Sequence, residues 1–259
     1  MKVLVAGESW TTFSTHVKGA DSFTTSKYAT GIEPLRTALR GSGHEVVHLP
    51  AEHVPDSFPS TGGRELAAYD LVILSDIGSN SFYLSTETFE RSVSRPDRLE
   101  VLRQWVAGGG ALVMIGGYMS FSGIDAKARF GQGALADCLP VVISDFDDRA
   151  ERPAGVRAQV EAPEHALAAG LAHVWPPLLG YNQVGPREGA MVVATVEDGI
   201  PLLATWDYGE GRATVFTSDC APHWAPPEFL SWAGYAALWN NIVTWTAARR
   251  VQPARAASA

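Results

Sequence analysis

The segment Ala111-Leu-Val-Met-Ile-Gly-Gly-Tyr-Met-Ser120 runs a block of apolar residues into a glycine pair. A short, unbroken apolar run ending on glycines reads as a buried strand entering a tight turn, the place where an α/β enzyme presents a nucleophile. Tyr118 stands at that turn. A nucleophile elbow wants a small reactive residue flanked by glycines, because the backbone is strained there and neighbouring side chains collide. Gly116 lies two residues before Tyr118, but Ser120 occupies the position two residues after it. The pattern is that of a catalytic scaffold without its usual catalyst.

Strand and helix signals alternate around this turn. Lys2 to Ala6 and Tyr69 to Ser75 read as strands, the second a near-continuous apolar run of the kind buried on both faces in parallel sheets. Ile32, Leu35 and Leu39 have helical spacing, stop at Gly41-Ser42-Gly43 and lead to a strand from Glu45 to Leu49. Arg98 to Ala107 predicts a helix ending in Gly108-Gly109-Gly110. After Ile143 the pattern changes to the strand-like segments 155–160, 191–196, 201–207 and 212–217, a meander expected to be antiparallel. One long helix is expected from Glu228 to Arg249, with its Trp and Tyr residues in the core. Glu8 to Thr30 shows neither period and reads as a long functional loop. The expectation is α/β: a three-layer, flavodoxin-like, mostly parallel sheet with helices on both faces and an antiparallel C-terminal extension. Residues 1–250 would form a single domain and 251–259 a flexible tail.

Composition excludes several classes. With 46% hydrophobic and 19% charged residues the chain can bury a sizeable core, which a disordered chain could not. A net charge of -8 without a run of Lys or Arg lacks the footprint of a nucleic-acid binder. Cys138 and Cys220 are too few for a disulfide framework and fit a reducing compartment. The apolar start is too short for a signal peptide and no segment has the length of a membrane span, so a cytoplasmic protein is expected. His44 and His48 flank a strand instead of sharing a helix face, and Gly108-Gly109-Gly110 precedes a strand instead of opening a helix. Neither a metal nor a cofactor is assigned.

In an open α/β sheet the ligand site lies beyond the carboxyl ends of the strands. The candidates there are Glu8, Ser9, His16 and Lys18 after the first strand, and Asp76, Gly78 and Asn80 after the third. Tyr118 and Ser120 come from the elbow, and Asp219, Cys220, His223 and Trp224 from the end of a late strand. Tyr118 reads better as a plug of the former nucleophile pocket than as a catalytic phenol, because a phenol of ordinary pKa, about 10, stays protonated. Glu8, His16 and Lys18 could form a charged binding site.

This arrangement resembles the class I glutamine amidotransferase-like superfamily, in which a glycine-rich turn after a central strand carries Cys and a His follows a late strand. Gly7-Glu8-Ser9-Trp10, Ser14-Thr15-His16-Val17-Lys18-Gly19 and Pro222-His223-Trp224 are similar to the GATase1-like group of cytoplasmic proteins. The resemblance implies His223 as the family His and Gly78 as the glycine of the oxyanion turn. It also exposes departures: the elbow Cys is Tyr118, and the acid expected two residues after the His is Ala225. The expected function is a glutamine amidotransferase-like protein that does not hydrolyse glutamine and binds a small polar molecule at the strand ends. The alternative is a hydrolase of altered chemistry in which His223 acts on Cys220 or on water. A self-association surface among the aromatics from Trp224 to Trp245 would make a homo-oligomer.

Overall fold

The computed structural model describes residues 1–248. Its strands are β1 (Lys2–Gly7), β2 (Ser9–Lys18), β3 (Asp21–Thr30), β4 (Glu45–Leu49), β5 (Leu71–Ser75), β6 (Ala111–Ile115), β7 (Val141–Val142), β8 (Arg149–Val156), β9 (Gln159–Val160), β10 (Leu178–Asn182), β11 (Gly185–Pro186), β12 (Met191–Thr195), β13 (Pro201–Tyr208) and β14 (Gly211–Phe216). The helices are α1 (Glu33–Gly41), α2 (Val54–Ser57), α3 (Asn80–Tyr83), α4 (Thr86–Arg91), α5 (Arg98–Ala107), α6 (Pro227–Leu230) and α7 (Tyr235–Ala247).

Eight strands form one sheet in the order β4-β1-β5-β6-β14-β13-β12-β9. From β4 to β14 every pairing is parallel, and from β14 to β9 every pairing is antiparallel. The parallel part has the flavodoxin-like order, which reverses direction between β1 and β5 and opens a crevice there. Side-chain alternation assigns the two faces: Val3, Val5, Leu71, Ile73, Val113 and Ile115 pack with α1 and α7, whereas Leu4, Val72, Leu74, Leu112 and Met114 pack with α5. The expected three-layer architecture is present.

Three local expectations need correction. The segment Glu8 to Thr30 is not a loop; β2 and β3 pair without a bulge from Ser9↔Thr30 to Lys18↔Asp21 and stand off the body as a two-stranded arm. Both faces of the arm are exposed from Thr11 to Tyr28, so burial imposes no sustained apolar period on it. The long C-terminal helix is two helices, because Pro226 and Pro227 start α6 and the chain breaks at Ser231–Gly234 before α7 begins. β14 is antiparallel to β13 as expected but also lies parallel against the elbow strand β6, which brings Asp219 to His223 beside the elbow. The expected tail 251–259 lies outside the described residues.

Trp224, Tyr235 and Trp239 are buried, and Trp232 and Trp245 are half-buried, so the aromatics of this region serve the core. Among the described residues no helix is long and apolar enough to cross a membrane. Phe216 joins β14 to both C-terminal helices through Phe229 (6.3 Å) and Trp239 (5.3 Å). Phe216→Ala is expected to cost about 3–5 kcal/mol in urea denaturation. A loss below about 1 kcal/mol would contradict this packing account.

Candidate functional site

Strands β1 and β5 end alike, each handing the chain to an acid. Glu8 follows Gly7 and Asp76 follows Ser75, and both acids have left-handed backbone, with φ of 53° and 43°. That conformation is uncommon for non-glycine residues and turns the chain sharply at the strand end. The Glu8 N–H donates to the Ser75 carbonyl at 2.9 Å, which ties the two turns together. Asp219, three residues beyond β14, adds a third carboxylate, and Glu8 and Asp219 are each only 1% exposed.

Burial raises the pKa of all three acids, and their mutual repulsion adds to it at Glu8 and Asp219. Glu8 is pushed up to about 7, against the stabilising donation of Ser75 Oγ (2.6 Å) and Cys220 Sγ (3.7 Å) to its Oε2. Cys220 is therefore a donor to Glu8, with its own pKa raised by burial and by Glu8 and Asp219. The hydrogen bonds of Cys220 Sγ run to Ser75 Oγ (3.6 Å) and Glu8 Oε2 (3.7 Å). Among the described residues Glu8, Asp219 and Cys220 are the group whose ligand atoms lie close enough to hold a metal ion, within 4.8 Å of one another. Burial and the two acids push the Cys220 thiol up, toward its protonated form.

The elbow is built but its anion site is occupied. The Met119 N–H, belonging to the residue after the nucleophile position, donates to Asp76 Oδ1 at 2.6 Å. In a working elbow that N–H serves an oxyanion. The preceding Gly117 N–H donates to Asn182 Oδ1 at 3.0 Å, and Asn182 Nδ2 donates to Gly117 O and to Asp148 Oδ1. Asp148 accepts from the N–H groups of Ser122 and Gly123, fixing the chain just beyond the turn. Ser120 Oγ donates to Ile115 O and accepts from the Asp76 N–H, so it is a bracket across the turn. Gly116 is required because a Cβ there would lie 2.3 Å from Thr217 O.

Tyr118 is half-buried among other rings and a guanidinium. His223 stacks on it at 5.1 Å, the Arg149 guanidinium lies 4.9 Å from its centre, and Trp224 packs at 5.6 Å. Burial and the neighbouring Glu151 raise its pKa, so the phenol stays protonated. Trp224 is buried and its indole N–H donates to Glu151 at 3.1 Å. His223, with 42% of its side chain exposed, places Nδ1 4.0 Å from Asp219 Oδ2. Its ring also meets Trp10 at 5.5 Å. Beside it a groove of about 560 Å³ is lined by Trp10, Thr30, Gly31, Leu179, Pro222 and Pro226. Gly31 forms its floor over Glu8, for a Cβ there would come within 2.2 Å of Glu8 Oε1.

Glu8, Asp76, Tyr118, Ser120, Asp219, Cys220, His223 and Trp224 thus lie together at the strand ends. Ser9 turns away to Glu52 and the Ala51 N–H. Gly78 packs under Met119 and Ala128, and Asn80 opens α3 on the surface. His16 and Lys18 lie far out on the arm, roughly 26–33 Å along β2 from Glu8 at about 3.3 Å per residue, with His16 stacked on Phe23. Asp148, Arg149, Glu151 and Asn182 are site residues that sequence reasoning missed. They come from β8, β10 and the turn before β8, whose position against the elbow is set by folding alone.

The fold and site are those of an amidotransferase-like α/β protein, and residues 2–248 match the family model described as "Putative glutamine amidotransferase". The chain belongs to this GATase1-like family. Two solved structures cover 95% of this chain and 99% of their own at a TM-score of 0.91: cytoplasmic protein STM3548 from Salmonella typhimurium, 44% identical, and cytoplasmic protein STM1381 from Salmonella typhimurium LT2, 45% identical. A ThuA-like protein from Parabacteroides merdae shares the fold at 14% identity, with a TM-score of 0.55 over 97% of this chain and 91% of its own. No curated protein matches.

A carboxyl with a folded pKa near 7 and an unfolded value near 4.5 binds more protons folded than unfolded between those values. Stability contributed by Glu8 is therefore full below pH about 4.5 and falls as pH rises to about 7, by on the order of 3 kcal/mol. Glu8→Gln should flatten urea-denaturation stability over pH 5–7.5 and leave the protein more stable than wild type at pH 8. An unchanged pH profile in the variant would contradict the assignment.

Proposed function

We propose that this protein binds a small polar molecule at the carboxyl ends of β1, β5 and β14 and does not hydrolyse glutamine. The observation that carries this reading is the bond from the Met119 N–H to Asp76 Oδ1. Glutamine hydrolysis through an elbow needs a nucleophile at the turn and free N–H donors for the tetrahedral oxyanion. Tyr118 replaces the first, and a fixed carboxylate consumes the second. A second negative charge beside Asp76, above Glu8 and Asp219, would be repelled.

The same charges favour a ligand rich in donors. His223 lines the groove, the half-buried Asp76 and the buried Glu8 and Asp219 stand at the strand ends, and Trp10 and Pro222 supply an apolar wall. An amine or polyol with a short apolar part fits this set, with carboxylates accepting its N–H or O–H groups. A water-activating role for His223 is a second reading, favoured by its exposed ring next to Asp219. We also assign the chain to the cytoplasm, in line with the description of the Salmonella proteins, and to a single domain over 1–250.

Purified protein incubated with glutamine should release no ammonia above the uncatalysed background. Release that disappears in His223→Ala would overturn the proposal. In a thermal-shift series, small amines and polyols should raise Tm and Asp76→Asn should abolish the effect; a response confined to carboxylates would contradict the ligand class.

A further inference from the structure

The arm separates its residues by face. Thr11, Phe13, Thr15 and Val17 of β2 share one face with Ser22, Thr24, Ser26 and Tyr28 of β3, and this face carries no charged group. The other face carries every charged side chain of the arm: Lys18, Asp21 and Lys27, with His16 stacked on Phe23. On the uncharged face Phe13 is 72%, Val17 73% and Tyr28 48% exposed. An isolated two-stranded ribbon is marginal in water, and an uncharged β-face with two open edges invites association.

From this we propose that the arm is a self-association device: in a two-fold dimer each copy lays its uncharged face across the body of the other. The size of the uncharged face selects a second copy as the occupant, through reciprocal exchange. Ten residues at about 3.3 Å, with a ribbon about 10 Å wide, give a face of roughly 330 Å², which alone is too small. Giving one arm and receiving another brings each copy to roughly 660 Å², where stable interfaces begin at about 600 Å² per partner. Because β2 starts one residue after Glu8, the exchange would also bring a second copy close to the mouth of the crevice.

Sedimentation or light scattering of the full chain tests this. Wild type should run as a dimer. Phe13→Lys with Val17→Lys, which places two charges on the uncharged face, should weaken association on the order of 100-fold or more while far-UV circular dichroism and Tm of the body stay unchanged. Thr12→Lys, on the charged face of the same strand, should remain dimeric. A monomeric wild type at tens of micromolar would overturn the proposal and leave the arm to a different protein. Persistence of the dimer in the double variant would overturn it as well.

Discussion

The site depends on one hydrogen bond, from the backbone of the elbow to a carboxylate delivered by the neighbouring strand. Asp76 is the first residue beyond β5, and its left-handed backbone aims the side chain across at Met119. Ser120 closes the contact from the other side by accepting the Asp76 N–H and donating to the elbow strand. The N–H that would stabilise a transient oxyanion is thus already committed to a side-chain carboxyl, which a substrate oxygen would have to displace.

That carboxyl shapes the electrostatics behind it. Asp76 raises the pKa of both Glu8 and Asp219, and with burial it keeps a proton in the cluster near neutral pH. Ser75 and Cys220 are the donors that make such a cluster tolerable, since unpaired buried carboxylates would be strongly destabilising. Cys220 is thereby committed to structure. His223, which stacks on Tyr118 and approaches Asp219, stands at the solvent side.

Much of the fold was legible because its signals are local. The apolar runs at β5 and β6, the helical spacing of α1 and α5, and the glycines that end them report burial on both faces of a parallel sheet. The arm was not legible: alternation is imprinted by burying one face, and neither face of β2–β3 is buried within this chain. The break before α7 was obscured by continuous hydrophobicity across Trp232 and Ala233. At the site, strand ends pointed to Glu8, Asp76, Asp219 and His223, since topology places such residues together. His16 and Lys18 were drawn in by proximity along the chain, which an extended strand converts into distance. Asp148, Glu151 and Asn182 gave no signal because they act through backbone amides and an indole of residues remote in sequence.

The account attributes inactivity toward glutamine to an occupied anion site as well as to a missing thiol, and the two are separable. The measurement is ammonia release from glutamine by the Tyr118→Cys variant, with folding verified by circular dichroism. With Asp76 still bound to the Met119 N–H, the variant should stay at background although His223 is next to the new thiol. Glutamine turnover by this single variant would contradict the account, because it would mean that the elbow amides were available and that only the nucleophile was missing.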